Sequence, residues 1–391
     1  MLQQMGQMLS TGAASGGTGP VNWDIARDTA RKSVSGTGDP SVSVSDGRAV
    51  QDAVDLAQLW IDAATALPAS ATTARAWSRS EWIEGTFAAW QRIMTPLGDK
   101  ASKVLSEVGD SDALGLPGLP DDLPAEMRSM LAPVMGMARQ LGAVMLGVQF
   151  GNSLAALAGD VLSVSDIGVP LTQEAVPTLI PRNIEEFAAG LEVPPDDVRL
   201  FIALREVAHQ RLFSHVPWLG PRLLGAVEEY AQGINLDTER VREAMRGLDP
   251  SNPAAIQEAM AGGLFEPEDT PAQRAALQRV ETLLALIEGW VESVTTAAAA
   301  DRLPSAVRLT EAMRRRRGAG GPAERTLATI LGLELRPRRM REAAALWEAL
   351  AKDRGTEGRD ALWDHPDLLP DGTDLDDPEA FIVRSRPEPG E

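Results

Sequence analysis

Apolar residues spaced three and four apart, in segment after segment, constrain this chain to helices. Within residues 47–67, Val50, Val54, Leu56, Leu59, Trp60 and Ala63 follow that spacing. Ile83, Phe87, Trp90 and Met94 make a second stripe. Leu277, Val280, Leu284, Ile287, Val291 and Val294 make a third, inside a helix expected over 270–300. Strand signals are confined to residues 160–180. There Val161, Val164, Ile167 and Val169 precede Val176 and Ile180, with Pro170, Pro177 and Pro181 between or just after. That segment reads as a small β-hairpin or an extended arm. The expected fold is mainly α: one multi-helical globular body with at most a small β-hairpin.

Start and stop residues divide the chain further. Ser78 and Glu81 have the spacing of a capping box, in which each side chain bonds the other's free backbone N–H. Pro96 is expected to end the helix they start. Residues 125–162 are apolar and rich in small residues. Each helical glycine costs about 1 kcal/mol relative to alanine, so Gly136, Gly142, Gly147 and Gly151 imply close helix packing. The uncharged run 140–159 contains Gln140, Gln149 and Asn152 and reads as a buried helix rather than a membrane span. Pro194-Pro195-Asp196-Asp197 opens a helix expected to reach about Ser214, before Pro217-Trp218 breaks it. Short helices are also expected at 238–246 and 252–261. Three regions result: a helical arm with linkers at 1–45, the main body at 46–365, and an acidic, Pro-rich tail at 366–391.

Composition excludes several chemistries. With no cysteine in 391 residues, there are no disulfides, thiolate metal sites or cysteine nucleophiles. This fits a reducing compartment, and the cytoplasm is expected. A formal charge of −19 repels nucleic-acid phosphates and anionic lipid, so neither nucleic acid nor membrane insertion is expected. A protein or peptide partner remains open, as does the oligomeric state. Residues 1–20 lack the basic start and apolar run of a secretory leader. Only four lysines, with abundant Ala, Gly and Arg, suggest a GC-rich bacterial genome. Neither a phosphate-binding glycine loop nor a GxSxG elbow is present. The basic run Arg314–Arg317 is read as a solvated helix end.

One stretch carries chemistry. Residues 203–219, ALREVAHQRLFSHVPWL, hold two of the three histidines, His209 and His215. On a helix, residues i and i+4 share a face. Two histidines so placed bind one zinc ion, with a glutamate after the first as general base. Here Arg205 takes the first position, Glu206 the base position and His209 the second. A protonated guanidinium offers no lone pair and repels a divalent cation. It is suited instead to pair with Glu206, Glu288 or a substrate carboxylate. On the residues alone, the pattern fits a helix with a partly buried, hydrogen-bonded histidine better than a metal site.

Several marks along the chain resemble the bacterial zincin-like hydrolase family, described as zinc-dependent metalloproteases and including a branch associated with deazaflavin-cofactor biosynthesis. They are GPVNWD (19–24), the Gly-rich segment 131–162, Pro181-Arg182-Asn183, residues 203–219, LLALIEGWVESV (283–294) and ALWDHPDLLP (361–370). The resemblance implies a zincin-like fold, Glu206 as general base, and His209 and Glu288 as zinc ligands. Arg205 stands where the first ligand belongs, and Trp290 stands where relatives have histidine. His215, six residues after His209, reaches the site only through the bend before Pro217. His365 is expected on the surface or as a cap. Two readings follow. In one, the peptidase site is degenerate, binds no cofactor, and the protein acts by binding or scaffolding. In the other, an active zinc-dependent hydrolase uses His209, Glu288 and an unidentified third ligand. The first requires Arg205 to pair with Glu206 or Glu288 in a filled pocket; the second requires His209 and Glu288 to converge with open space between them.

Overall fold

The computed structural model describes residues 19–69, 73–112, 125–233, 270–318 and 337–386. The helices expected at 238–246 and 252–261 lie outside these residues. The described chain is mainly α, as its periodicity predicts.

Helix α1 (Trp23–Gly36) starts at Asn22, whose side chain accepts from the Ile25 N–H at 3.0 Å. It is no detached arm. Ala26, Ala30 and Val34 are buried, and α1 lies along α4 (Ala125–Ala158). Glycines permit the close approach. A Cβ on Gly147 would sit 2.5 Å from the Asn22 carbonyl oxygen, and one on Gly151 2.5 Å from that of Ala26. A core contact through small residues leaves no conspicuous hydrophobic stripe in the sequence, so α1 reads there as an arm although it packs on the body.

Helix α2 (Val44–Ile61) buries Val50, Val54, Ala57 and Ile61. Helix α3 (Arg79–Asp112) has the expected capping box: the Ser78 N–H donates to Glu81 at 2.7 Å, and the Glu81 N–H to Ser78 Oγ at 3.2 Å. Pro96 does not end it; the helix runs through the proline to Asp112. One missing hydrogen bond is offset by packing, since α3 lies against α1, α4 and α7 (Leu219–Gly233). Among the described residues, no helix is long and apolar enough to cross a membrane.

The only strands among the described residues are two short ones. β1 (Arg75–Ala76) pairs in parallel with β2 (Thr178–Leu179), and Ser163 bridges Leu179 in antiparallel fashion. The segment expected as a small hairpin or extended arm thus folds back on itself at the Ser163–Leu179 bridge, while the ladder partner of Thr178–Leu179 lies about a hundred residues away in sequence. The wrap 160–180 is buried from Val161 to Val169, and it leads into α5 (Pro181–Ala189).

Helix α6 (Pro195–His215) is central, buried at every position from Leu200 to Leu212. α2, α5 and α8 (Pro271–Ala299, capped by Thr270) pack against it. α9 (Ala306–Gly318) and α10 (Pro337–Asp360, interrupted at Gly355 with φ +76°) flank α8. α8 and α10 meet at Gly289, where a Cβ would lie 2.6 Å from the Ala344 nitrogen. The segment after His365 is not a free tail as far as it is described. Leu375 and Phe381, the latter on α11 (Pro378–Arg384), are buried, and Arg339 reaches Asp376 at 2.6 Å.

Gly147→Ala forces the Asn22 carbonyl away and is expected to cost about 1–3 kcal/mol in chemical unfolding, the usual range for overpacking. Gly225→Ala, with open space around it, is the control. It gains up to about 1 kcal/mol of helix propensity. Equal effects of the two substitutions would refute a packed α1–α4 contact.

Candidate functional site

Three helices and one loop converge on Glu288. It lies on the buried face of α8, with 3% of its side chain exposed. Arg205 of α6 donates from Nη2 to Glu288 Oε2 at 2.7 Å. Arg317, at the end of α9, donates from Nη1 to the same oxygen at 2.5 Å. His209 Nε2 lies 3.1 Å from Oε1, and its Nδ1 lies 2.9 Å from the Arg205 carbonyl. Both ring nitrogens face oxygen acceptors, so a neutral ring donates to one of them at a time. Gly168 closes the fourth side. Its φ of +74° turns the loop over the carboxylate, and a Cβ there would sit 2.9 Å from Oε1.

Burial alone would raise the Glu288 carboxyl pKa. Arg317, His209 and Arg205 outweigh it and hold the group well below the usual carboxylate range. The opposite holds for Arg205, whose pKa burial and the adjacent Arg317 lower against the pull of Glu288.

Glu206 faces a different set of partners. Its carboxylate accepts from the backbone N–H of Ser165 (3.1 Å) and of Thr178 (3.3 Å), and from Gln210 Nε2 (2.8 Å). Gln210 also donates to Ser165 Oγ at 2.9 Å. Burial is the largest influence on Glu206 and pushes its pKa up, against His209 and the surrounding donors. It ties the 160–180 wrap and β2 to α6. Of the two partners considered for Arg205 within the chain, Glu288 takes it and Glu206 does not.

The arginines of α9 divide between surface and interior. Arg314 pairs with Glu292, and Arg315 pairs with Glu311 on the surface. Arg316 turns inward to Asp166 Oδ2 (2.9 Å) and the Asp160 carbonyl (2.6 Å). Arg317 reaches Glu288 and, through Nη2, the Asp166 carbonyl at 3.0 Å. The reading of Arg314–Arg317 as a solvated helix end is corrected for the last two. The signal was present: Leu309 and Met313 are buried, and residues 316 and 317 follow Met313 by three and four on the same face.

The other sequence candidates lie apart. Trp290 is fully buried but points toward the end of α10, where its Nε1 donates to Asp360 Oδ1 at 2.8 Å and its ring meets Trp363 edge-on. His215 is exposed at the C-terminus of α6. His365 caps a 3₁₀ turn, accepting from the Asp367 N–H at 3.2 Å.

A family model of zincin-like metallopeptidases matches residues 21–382. The chain belongs to the zincin-like metallopeptidase family. It is also similar to a crystal structure from Chloroflexus aurantiacus, described as a "putative hydrolase with a novel fold", at 20% identity and a TM-score of 0.62, over 93% of this chain and 98% of that one. At that identity the likeness concerns the fold. No curated protein matches the chain significantly.

A zincin-like family implies zinc, and the donor set here does not fit one. A catalytic zinc takes three protein ligands, and among the described residues no group of three or more His, Asp or Glu side chains is placed to hold a metal ion. Glu288 Oε2 is taken by two guanidiniums, and Arg205 offers no lone pair where a first ligand would stand.

Asp166 carries a second test of this cluster. Burial would raise its pKa, but Arg316, Arg317 and the Leu162 N–H lower it below the ordinary 3.8. Its contribution to stability is therefore present above the unfolded-state value and lost as pH falls through the folded one. Asp166→Asn is expected to cost about 3 kcal/mol near pH 7, the lower end for a broken buried pair, because Arg316 keeps Asp160. The variant's stability falls less steeply than wild type below about pH 4. Parallel acid limbs in pH-dependent unfolding would show that Asp166 is not held ionised by the arginines.

Proposed function

We propose that this chain is a zincin-fold protein whose peptidase site has become a metal-free ion-pair cluster. It works without catalysis, by binding a protein or peptide partner in the cytoplasm. The observation that carries the reading is the Arg205–Glu288 contact of 2.7 Å: the residue in the first ligand position occupies the carboxylate that would be the third ligand. Glu206, the residue in the base position, has its oxygens engaged by two backbone N–H groups and Gln210. Three donors thus hold it as an acceptor within the fold. The charge of −19 argues against nucleic-acid and membrane partners.

A zinc-dependent hydrolase using His209, Glu288 and a further ligand is the second reading. One observation favours it. His209 Nε2 and Glu288 Oε1 lie 3.1 Å apart, near the roughly 3.3 Å separation of two ligands on tetrahedral zinc with bonds of about 2.0–2.1 Å. The same distance suits a direct hydrogen bond, and the neighbouring Oε2 carries both guanidiniums.

Elemental mass spectrometry on untagged protein separates the two. The metal-free reading expects no zinc in wild type or in His209→Ala, even after zinc is added. About one zinc per chain, lost in the His209→Ala variant, would establish the second reading and direct the search to peptidase substrates.

A further inference from the structure

We infer that two arginines from two helices, Arg205 of α6 and Arg317 of α9, together replace the zinc ion, so that the site is closed to metal twice over. The inference rests on the metal-free reading and deepens it. Charge supports it. A divalent ion beside one glutamate and neutral histidines leaves one net positive charge. Two guanidiniums beside Glu288, counted with the same form of the histidine, leave the same. Arg205 alone would leave the cluster with none. Geometry agrees: Arg205 and Arg317 both donate to Glu288 Oε2, at 2.7 and 2.5 Å, from opposite helices. A zinc ion joins the elements that supply its ligands, and the arginine pair joins α6, α8 and α9 in that role. Arg317 is held in turn by the Asp166 carbonyl at 3.0 Å, while Arg316 beside it is fixed on the Asp166 side chain at 2.9 Å. The end of α9 is thus anchored independently of Arg205. Restoring the motif histidine at position 205 would leave Glu288 still claimed by Arg317.

The test is zinc binding by R205H, R317A and R205H/R317A, measured by competition with a chromophoric chelator and by zinc content, with circular dichroism to verify folding. Wild type and R317A are expected to hold no zinc, because Arg205 remains. R205H/R317A, with the ligand set of two histidines and a glutamate seen in catalytic zinc sites, takes up one zinc per chain and loses it when His209→Ala is added. R205H alone binds more weakly than the double variant by on the order of 100-fold, the scale of displacing one charge-assisted hydrogen bond. R205H binding zinc as tightly as the double variant would overturn the role of Arg317. So would a folded double variant that binds none. If R205H/R317A does not fold, R205H/R317M, which keeps an unbranched apolar stem, replaces it under the same criteria. Wild type carrying stoichiometric zinc would instead defeat the metal-free reading itself, which keeps the two failures apart.

Discussion

A carboxylate that is almost completely buried has to be compensated, because an isolated ion in a low-dielectric interior costs several kcal/mol even after relaxation. Glu288 is such a group, and its compensation organises the middle of the molecule. Arg205 arrives from α6, Arg317 from α9, and the 160–168 loop folds over with Gly168 against the carboxylate. α9 in particular has a strongly basic end that solvent would accept readily. Two of its arginines are drawn inward only because Glu288 and Asp166 wait there as acceptors.

The same logic explains the sparse β-structure. The wrap is buried from Val161 to Val169 and again from Pro177 to Leu179, and its backbone there needs partners that a helical protein does not supply in bulk. Some come from the short ladder with Arg75–Ala76 and from the Leu162 and Thr178 carbonyls. Glu206 supplies others, accepting from the Ser165 and Thr178 N–H groups. A single acidic residue on the central helix thus substitutes for a missing strand.

How much of this was legible follows from what each contact looks like in sequence. Stripes of large apolar residues, the Ser78–Glu81 box and the Thr270 start of α8 are local features, and the helices they mark are where the periodicity puts them. Contacts made through glycine and alanine leave no stripe, which is why α1 reads as an arm although its Ala26 and Ala30 lie in the core. Pro96 misleads because a helix braced by three neighbours tolerates a lost hydrogen bond that an isolated helix would not. The pairing of Arg205 with Glu288, 83 residues apart, was open to reasoning only as one of several options, since complementarity of charge does not fix which carboxylate lies within reach. Arg317 escaped because four consecutive arginines look like one solvated feature, while helical geometry leaves Arg314 and Arg315 outside and turns Arg316 and Arg317 inward.

These constraints also bear on why a peptidase-like motif can stand without peptidase chemistry. Helix α6 is buried at every position through its central three turns, so polar residues there cannot be neutral passengers. Removing one leaves its partner unpaired in the interior, at a cost larger than most surface changes. Glu206 holds two backbone amides and a glutamine. His209 spans the Arg205 carbonyl and Glu288. Arg205 offsets the charge of Glu288. Each member of the motif therefore has a structural reason to be present that does not pass through a metal or a substrate. The family match over residues 21–382 speaks for the fold and not for a reaction, and the buried ion pairs are sufficient physical grounds for the motif residues present.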